Sequence, residues 1–498
     1  MIRVHYTGHD FRYEFENLMY VFFNKDEIEY VNEGSMLEQT WVGDPDKYRL
    51  QQDLKKEKGH AIITTQVWQG PDLTYNQTSQ VLQTEKDAHH ELRQVKKAMK
   101  LALYDGLSTL RPARSPWGIL VGMRPVKLVH DMLDAGLDYE TIGQILHEEY
   151  RIHHAKSQLV LEIAKRERPF IYPVDENALS IYLCMPFCPT RCLYCSFPSN
   201  PLDKKAKLVT PYFEALLKEV RETGQMIKDS GKVVDCIYFG GGTPTSLEAD
   251  QLQTLFRTLF DSMPVIDLKE FSVEAGRPDT ITADKLQVMK HFGVDRICIN
   301  PQSMVDQTLK EIGRSHKAQA IEEVYHLAKT FDFKTINMDI IIGLPGEGDQ
   351  EVSKTMSSLA HLKPENVTIH TLSVKRSSQL KNELSTRTLT DGDTIETMMD
   401  VATGAMRDQG YVPYYMYRQK NILANLENIG YSKPGHESLY NMRIMEERHS
   451  IIAMGAGSVS KMCFPSENRF ERVANSKGVE DYIDRVDEMI KKKEKYLR

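Results

Sequence analysis

"SIYLCMPFCPTRCLYCSFP", residues 180–198, decides how this sequence is read. Four of the chain's seven cysteines fall inside it, at positions 184, 188, 192 and 195. Cys188, Cys192 and Cys195 form C-x3-C-x2-C directly after "LSIYLCM", a short apolar run that reads as a strand. A structural zinc site wants four ligands, usually in paired knuckles, and no second C-x-x-C pair occurs in the chain. Thiolates also hold iron-sulfur clusters, in which four irons usually take four cysteines. Three cysteines leave one iron open to a reactant. Cys184 keeps a second reading alive: strand alternation puts it with Tyr182 on one face and Leu183 with Met185 on the other. It is either a thiol lining a pocket or a fourth ligand that closes the site around zinc or a cluster.

Outward from this stretch, residues 178 to 372 alternate. Apolar, β-branched runs at "LSIYLCM", "VVDCIYF", "EFSVEA", "DRICIN", "TINMDIII" and "NVTIHTL" are separated by helical patterns such as "YFEALLKEVRETGQMI". The expected fold class is α/β: six strands with right-handed helical crossovers, forming a partial (β/α)6 TIM-like barrel over residues 171–372. Ligands of such a fold bind at the carboxyl ends of the strands. "GGGTPT" at 240–245 follows strand two, Glu274 closes strand three, Gln302 lies just beyond strand four, and Asp339 lies near the end of strand five. Singly these read as a turn, a solvated strand end or a cap. Together they surround one cysteine loop.

The flanks differ from this core. Residues 1–170 read as an N-terminal α/β extension with a helical connector, with strands at "MIRVHY" and "HAIITTQVW" and a helix carrying Leu92, Val95, Met99 and Leu103 at helical spacing, Gly106 being its stop. Residues 373–498 read as a mixed C-terminal substrate or cap region: "GYVPYYMYRQ" as a strand, "NLENIGYSKPGHESLYN" as a loop, "SIIAMGAGSVSK" as a strand entering a tight turn at Gly455–Gly457, and "VEDYIDRVDEMIKKKEK" as a terminal helix. Cys236, Cys298 and Cys463 read as ordinary buried thiols. Sixty-three basic against seventy acidic side chains, net charge −7, offer no general attraction to nucleic acid or anionic membrane. No stretch approaches a membrane span or a signal peptide, so a cytoplasmic protein is expected.

C-x3-C-x-aromatic-C, with Tyr194 as the aromatic, at the first strand of a (β/α)6 pattern resembles the radical S-adenosylmethionine (SAM) enzymes. "IYLCMPFCPTRCLYCSF", "YFGGGTPT", "VEAGRPDT", "GVDRICINPQS", "EIGRSH" and "NMDIIIGLPGE" resemble, in order, the oxygen-independent coproporphyrinogen III oxidase group with its heme-chaperone relatives, and the long N-terminal extension resembles the HemZ-type subgroup. The resemblance implies that Cys188, Cys192 and Cys195 hold a [4Fe-4S] cluster whose open iron takes SAM. It implies that Gly241, Gly242 and Thr243 meet the methionine amine, that Tyr182, Tyr194, Glu274, Gln302, Arg314 and Asp339 line the SAM pocket, Arg314 suiting a carboxylate through its fork of donors, and that Ile341 packs on the adenine.

The implied activity is anaerobic: a SAM-derived 5′-deoxyadenosyl radical takes hydrogen from propionate side chains of coproporphyrinogen III, which lose CO2 to give protoporphyrinogen IX in heme biosynthesis. A low-potential flavodoxin or ferredoxin is the implied electron donor. Three departures are visible. Cys184 stands where the group has a His, Phe197 stands where the decarboxylating members often carry a further Cys, and "SLYNMRIM" matches the chaperones' heme-associated motif poorly. The alternatives are a heme chaperone and a radical SAM enzyme acting on another tetrapyrrole. Arg418, Lys420, Lys433 and Arg443 are candidates for a basic cluster facing the substrate's carboxylates.

Overall fold

The computed structural model describes every residue except 37–43, 45, 58, 83–87, 123, 198, 385–388 and 498. The chain forms two compact units, one of Met1–Pro125, Asp131–Leu161 and Ala424–Leu426, the other of Val126–His130, Glu162–Leu423 and Glu427–Arg498.

The first unit carries a five-stranded sheet in the order β2-β1-β3-β4-β5, with β1 (Ile2–Thr7), β2 (Ile28–Tyr30), β3 (Tyr48–Glu57), β4 (His60–Gln69) and β5 (Asp72–Leu82). β1 runs parallel to both neighbours, and β3, β4 and β5 form an antiparallel meander. The helix Ala88–Ser108 packs Val95, Met99, Leu103 and Leu107 into the core. Two expectations are corrected here. Leu92 is 40% exposed, and the helix runs past Gly106, where a Cβ would sit 2.8 Å from Val67 Cγ2 and 3.0 Å from the Tyr75 ring. That glycine permits a close helix-strand approach rather than ending the helix.

Among the described residues, the second unit is built on an eleven-stranded sheet. The parallel strands β6 (Ala178–Met185), β9 (Val233–Gly241), β10 (Val265–Gly276), β11 (Arg296–Ile299), β12 (Thr335–Ile342) and β13 (Asn366–Thr371) lie side by side in chain order. This is the expected (β/α)6 arrangement. The two-residue strands β7 (Phe187–Cys188) and β8 (Asn200–Pro201) pair with each other beyond β6. Residues after 372 extend the same sheet at both edges. β15 (Asn428–Ser432) pairs antiparallel with β13, and β14 (Val412–Tyr417) pairs antiparallel with β15, so β14 points the same way as the barrel strands. At the other edge β16 (Ile451–Met454) runs parallel to β6, followed by β17 (Val459–Phe464) and β18 (Arg469–Ala474). The stretch read as a loop at 425–441 therefore holds β15 and the start of a helix, Leu439–Glu446, and the expected single terminal helix is two, Val479–Asp484 and Val486–Leu497.

The barrel strands are buried on both faces, as parallel strands are, but the two faces differ in chemistry. Ile336, Met338, Ile340 and Ile342 of β12 lie on the face opposite Asn337 and Asp339. Helices cover the apolar face; Ala249–Ser262 buries Leu252, Leu255, Phe256 and Leu259 at i, i+3, i+4 and i+7. The polar face turns inward and makes a lumen. In β6, β12 and β13 a single residue is only partly buried, respectively Tyr182, Asp339 and His370.

The floor of the lumen, at the amino ends of the strands, is plugged by the helix Leu439–Glu446. Glu270 Oε2 accepts from Leu439 N at 2.6 Å, and Oε1 accepts from the Ser438 hydroxyl at 3.0 Å and the Ser272 hydroxyl at 2.8 Å. Tyr440 rises from the plug into a ring stack, 4.3 Å from Tyr238 and 6.1 Å from Tyr182.

A second buried carboxylate fixes the carboxyl end of β6. Glu219, on the helix Val209–Asp229, accepts from Lys493 Nζ (2.6 Å), Asn475 Nδ2 (2.8 Å), Tyr482 Oη (2.5 Å) and Gly455 N (2.7 Å). Two turns earlier on that helix, Tyr212 Oη donates to the Cys184 carbonyl at 2.6 Å and accepts from Ala456 N at 3.3 Å. The Gly455–Gly457 turn thus seats on β6 as a packed structural turn. Lys493→Ala leaves the Glu219 carboxylate buried without its cation, and the expected loss is about 3–5 kcal/mol, read from the urea midpoint against wild type.

Candidate active site at the cysteine loop

The cysteine loop leaves β6 at Met185 and is sewn to three other segments at the carboxyl ends of the strands. Leu193 N donates to Ile312 O (3.0 Å), Thr190 Oγ1 to Gly313 O (3.2 Å), and Leu380 N to Leu193 O (2.9 Å). The Ser377 hydroxyl donates to Ser196 O at 3.0 Å. The glycine turn after β9 closes on the same loop: Gly242 N donates to Met185 O (2.6 Å), Thr243 N to Phe187 O (2.8 Å), and the Thr243 hydroxyl sits 3.5 Å from Cys188 Sγ. These contacts explain the glycines physically. A Cβ on Gly242 would fall 2.6 Å from Phe187 O and 2.9 Å from Cys188 Sγ, and one on Gly241, at φ +109°, 2.8 Å from Cys184 Sγ.

Cys188, Cys192 and Cys195 are each partly exposed in the loop. Burial pushes the Cys188 thiol up to about 11 and raises that of Cys195, so both are protonated at neutral pH until a metal displaces the proton. Each thiol lies within electrostatic reach of a guanidinium, Cys188 of Arg277, Cys192 of Arg314 and Cys195 of Arg191. Arg277 is itself fixed, gripping Asp279 through two bonds (3.0 and 2.9 Å) and donating to the Thr190 hydroxyl at 2.8 Å. Arg277 and Arg191 were not singled out by sequence; "GRPD" after the third strand was the available signal for the first.

Cys184 lies on β6 with its carbonyl held by Tyr212 and its sulfur against Gly241 and Tyr182. Burial raises its thiol to about 12. It lines the lumen wall, level with Gly240 in the β6–β9 register.

The other sequence-selected residues gather at the same end of the lumen. Glu274 Oε1 accepts from the Tyr238 hydroxyl at 2.6 Å, and burial, with Asp339 nearby, raises the Glu274 carboxyl to about 7. Asp339 Oδ1 accepts from Asn337 Nδ2 at 2.7 Å. Gln302, in the left-handed region at φ +67°, inserts its backbone beside β12, its N–H on Asp339 O (2.8 Å) and its carbonyl on Ile341 N (2.9 Å). Arg314 is buried, with Nη1 on Asn300 O (2.6 Å) and Nη2 on the Tyr194 hydroxyl (3.3 Å). Its fork is therefore committed to the protein, and Nε is the donor left without a partner. Tyr238, Tyr440, His370 and Tyr417 are lumen residues that the sequence reading did not select.

The four basic candidates divide. Arg443 is buried at the amino end of the barrel, bidentate on Asp235 (2.5 and 2.9 Å) with a further bond to Ser180. Lys433, just after β15, donates to Lys363 O at 2.9 Å, also at that end. Both are corrected as substrate contacts. Arg418 and Lys420 follow β14 and lie at the end where the cysteines are, the Lys420 carbonyl accepting from the Ser373 hydroxyl at 2.9 Å.

Comparison with known proteins gives the family. The family described as "Radical SAM superfamily" matches residues 182–359. A protein of Bacillus subtilis (strain 168) named oxygen-independent coproporphyrinogen-III oxidase-like protein HemZ is 42% identical over 418 residues, spanning 83% of each chain. This chain belongs to the HemZ-type family of radical SAM proteins. The HemZ-type chain is also 34% identical over 197 residues to the heme chaperone HemW of Bacillus subtilis, spanning 39% of this chain and 51% of that one. The structure of coproporphyrinogen III oxidase HemN from Escherichia coli matches with a TM-score of 0.52 at 20% identity, covering 65% of this chain and 72% of that one, which shows a shared fold.

Radical SAM proteins use a [4Fe-4S] cluster and SAM, and the residues present in this HemZ-type chain fit both. Three thiols share a loop pinned on every side, and the glycine turn packs against it with no room for a side chain. Arg314 Nε and Asn300 Oδ1 are buried polar atoms left for a ligand. No helix among the described residues is long and apolar enough to cross a membrane. With Cys184 on the wall rather than in the loop, Cys184→Ser should keep four irons per chain after anaerobic reconstitution, while Cys192→Ala should lose the cluster absorbance and iron. Iron analysis of the two variants checks this.

Proposed function

We propose that this protein catalyses the oxygen-independent oxidative decarboxylation of coproporphyrinogen III to protoporphyrinogen IX. The observation that carries the reading is the extent of the HemZ similarity. Its 418 aligned residues far exceed the 178 of the matched radical SAM segment, so the likeness must take in regions outside the cofactor core. Bound at the cysteine loop, the cluster and SAM supply the 5′-deoxyadenosyl radical that this chemistry needs and side chains cannot provide.

The chain's own residues have the following roles. Cys188, Cys192 and Cys195 hold the cluster, and Arg191, Arg277 and Arg314 balance its negative charge. Gly241, Gly242 and Thr243 bring backbone close to the methionine end of SAM. Glu274 faces its ammonium, Asp339 its ribose hydroxyls, Ile341 its adenine, and Tyr182, Tyr194, Gln302 and Arg314 complete the pocket wall. The plug at Leu439–Glu446 and the ring stack above it keep water from entering the lumen from below, which protects a radical from quenching. Arg418 and Lys420, at the same end as the cysteines, suit propionate carboxylates. A low-potential flavodoxin or ferredoxin serves as electron donor.

A second reading, a heme chaperone, is favoured by one residue. Phe197, two positions beyond Cys195, is 64% exposed, an apolar ring beside the cysteine loop where the decarboxylating group often has a thiol. The two readings part in one experiment: anaerobic incubation of reconstituted protein with SAM, reductant and coproporphyrinogen III, following 5′-deoxyadenosine and tetrapyrrole mass. The decarboxylase loses two CO2 per tetrapyrrole; tight heme binding with no mass change overturns that reading in favour of the chaperone.

The raised Glu274 carboxyl adds a pH dependence. A ligand ammonium takes the ionised form, so SAM affinity should fall as pH drops through about 7, by about tenfold between pH 8 and pH 6. Glu274→Gln should flatten the profile, measured by equilibrium SAM binding across that range.

A further inference from the structure

His370 is the one incompletely buried residue of β13. Its register partner is Ile341, and its ring lies between two polar groups, one from the adjacent β12 and one from β14, the strand beyond β15. Nδ1 is 3.1 Å from the Tyr417 hydroxyl, a hydrogen bond, and Nε2 is 3.7 Å from Asp339 Oδ2, an electrostatic contact longer than a hydrogen bond. Proton inventory selects one arrangement. A neutral imidazole donates through one nitrogen and accepts through the other. If Nδ1 carried the proton, the Nε2 lone pair would point at a carboxylate. If Tyr417 donates to Nδ1, the Nε2 proton faces Asp339 and both contacts are attractive. Asn337 serves the other carboxylate oxygen.

We propose that His370, oriented by Tyr417, is a positioning residue that holds Asp339 as an ionised acceptor for the two hydroxyls of a ribose. This rests on the reading of Asp339 as a SAM contact and goes beyond it by naming what prepares that carboxylate. A ribose diol brings two O–H donors, so the group that receives it has to be an acceptor at both oxygens, which a protonated carboxyl is not.

The surroundings show why Asp339 needs such a partner. Facing it are Glu274 on β10, Cys298 on β11, Tyr238 on β9, and Tyr415 and Tyr417 on β14. None of these carries positive charge. Burial alone pushes the Asp339 carboxyl up, yet it is held below the usual range, through His370 first and then Asn337 and Thr368. Glu274, in the same lumen, has the Tyr238 hydroxyl as its donor and His370 only as a weaker influence, and burial carries it the other way, to about 7. Two carboxyls are thereby split into a fixed acceptor and one that titrates near neutrality.

The test is equilibrium binding of SAM to anaerobically reconstituted holoprotein at pH 8, where Glu274 is ionised, with iron content as the check on folding. His370→Ala should weaken SAM binding by about three- to tenfold, the scale of an electrostatic contact at this distance. His370→Gln, whose amide nitrogen can take the place of Nε2, should restore most of it. Tyr417→Phe keeps the ring packing but frees the tautomer, and should weaken binding several-fold; it carries the test should His370→Ala lose iron. Wild-type affinity in His370→Ala or in Tyr417→Phe overturns the proposal, and so does His370→Gln binding as poorly as Ala, which would mark a packing role. Asp339→Asn separates the two levels: if it binds SAM normally the underlying assignment of Asp339 fails, whereas weak binding there beside normal binding in His370→Ala fails His370 alone.

Discussion

A parallel strand covered on both faces has no solvent into which its polar residues can turn, and this constraint organises the second unit. One face meets amphipathic helices and is filled with Ile, Val, Leu and Phe. The polar residues must then share the interior with one another. Burying them unpaired would cost free energy at each position, so the lumen becomes a graded network: Glu270 saturated by donors at the floor, stacked tyrosines in the middle, and Glu274, Asp339 and His370 at the mouth with capacity to spare. The site is the part of this network that the chain does not satisfy by itself.

The cysteine loop solves a related problem from the other side. Three thiols at the mouth lie within electrostatic reach of three guanidiniums, and burial favours the neutral form of two of them. An arginine stays charged in any protein environment, so the loop presents positive charge that a polyanionic cluster can neutralise. The same arginines are bolted down, Arg277 on Asp279 and Arg314 on the Asn300 carbonyl, so the charge arrives already placed. Pre-placed dipoles and charges avoid reorganisation when a ligand enters.

The sequence made the six barrel strands legible because each is an uninterrupted apolar run between turn signals, and the cysteine spacing, the glycine turn, Glu274 and Asp339 followed from their places at strand ends. What escaped did so for physical reasons. "NIGYS" at 428–432 has the composition of a turn, yet it is a fully buried strand; Gly430 is required because a Cβ there would sit 1.8 Å from the Tyr415 ring. β5 is rich in polar residues because most of it lies exposed, and β3 carries exposed charges only at its last three positions. Arg443 read as a candidate substrate contact, since nothing local reveals that Asp235, 208 positions away, will pair with it in the interior. His370 was recoverable: "NVTIHT" alternates, and Asn366, Thr368 and His370 share the phase that faces the lumen. Tyr417 was not, because its partner across the β13–β15–β14 edge depends on a strand the composition hides.

The Glu219 anchor has a consequence for biosynthesis. The strand that launches the cysteine loop is fixed by Ile451–Met454 alongside it and by Lys493 beneath it, residues made roughly 270 positions later. Contacts of such sequence separation form late and slowly. While the chain is still growing, β6 has one bare edge and Glu219 has no cation, so the cysteine loop cannot yet have its final shape. The final shape of the cysteine loop is therefore expected only once residue 493 has been made, which places any metal loading that depends on that shape at the end of synthesis.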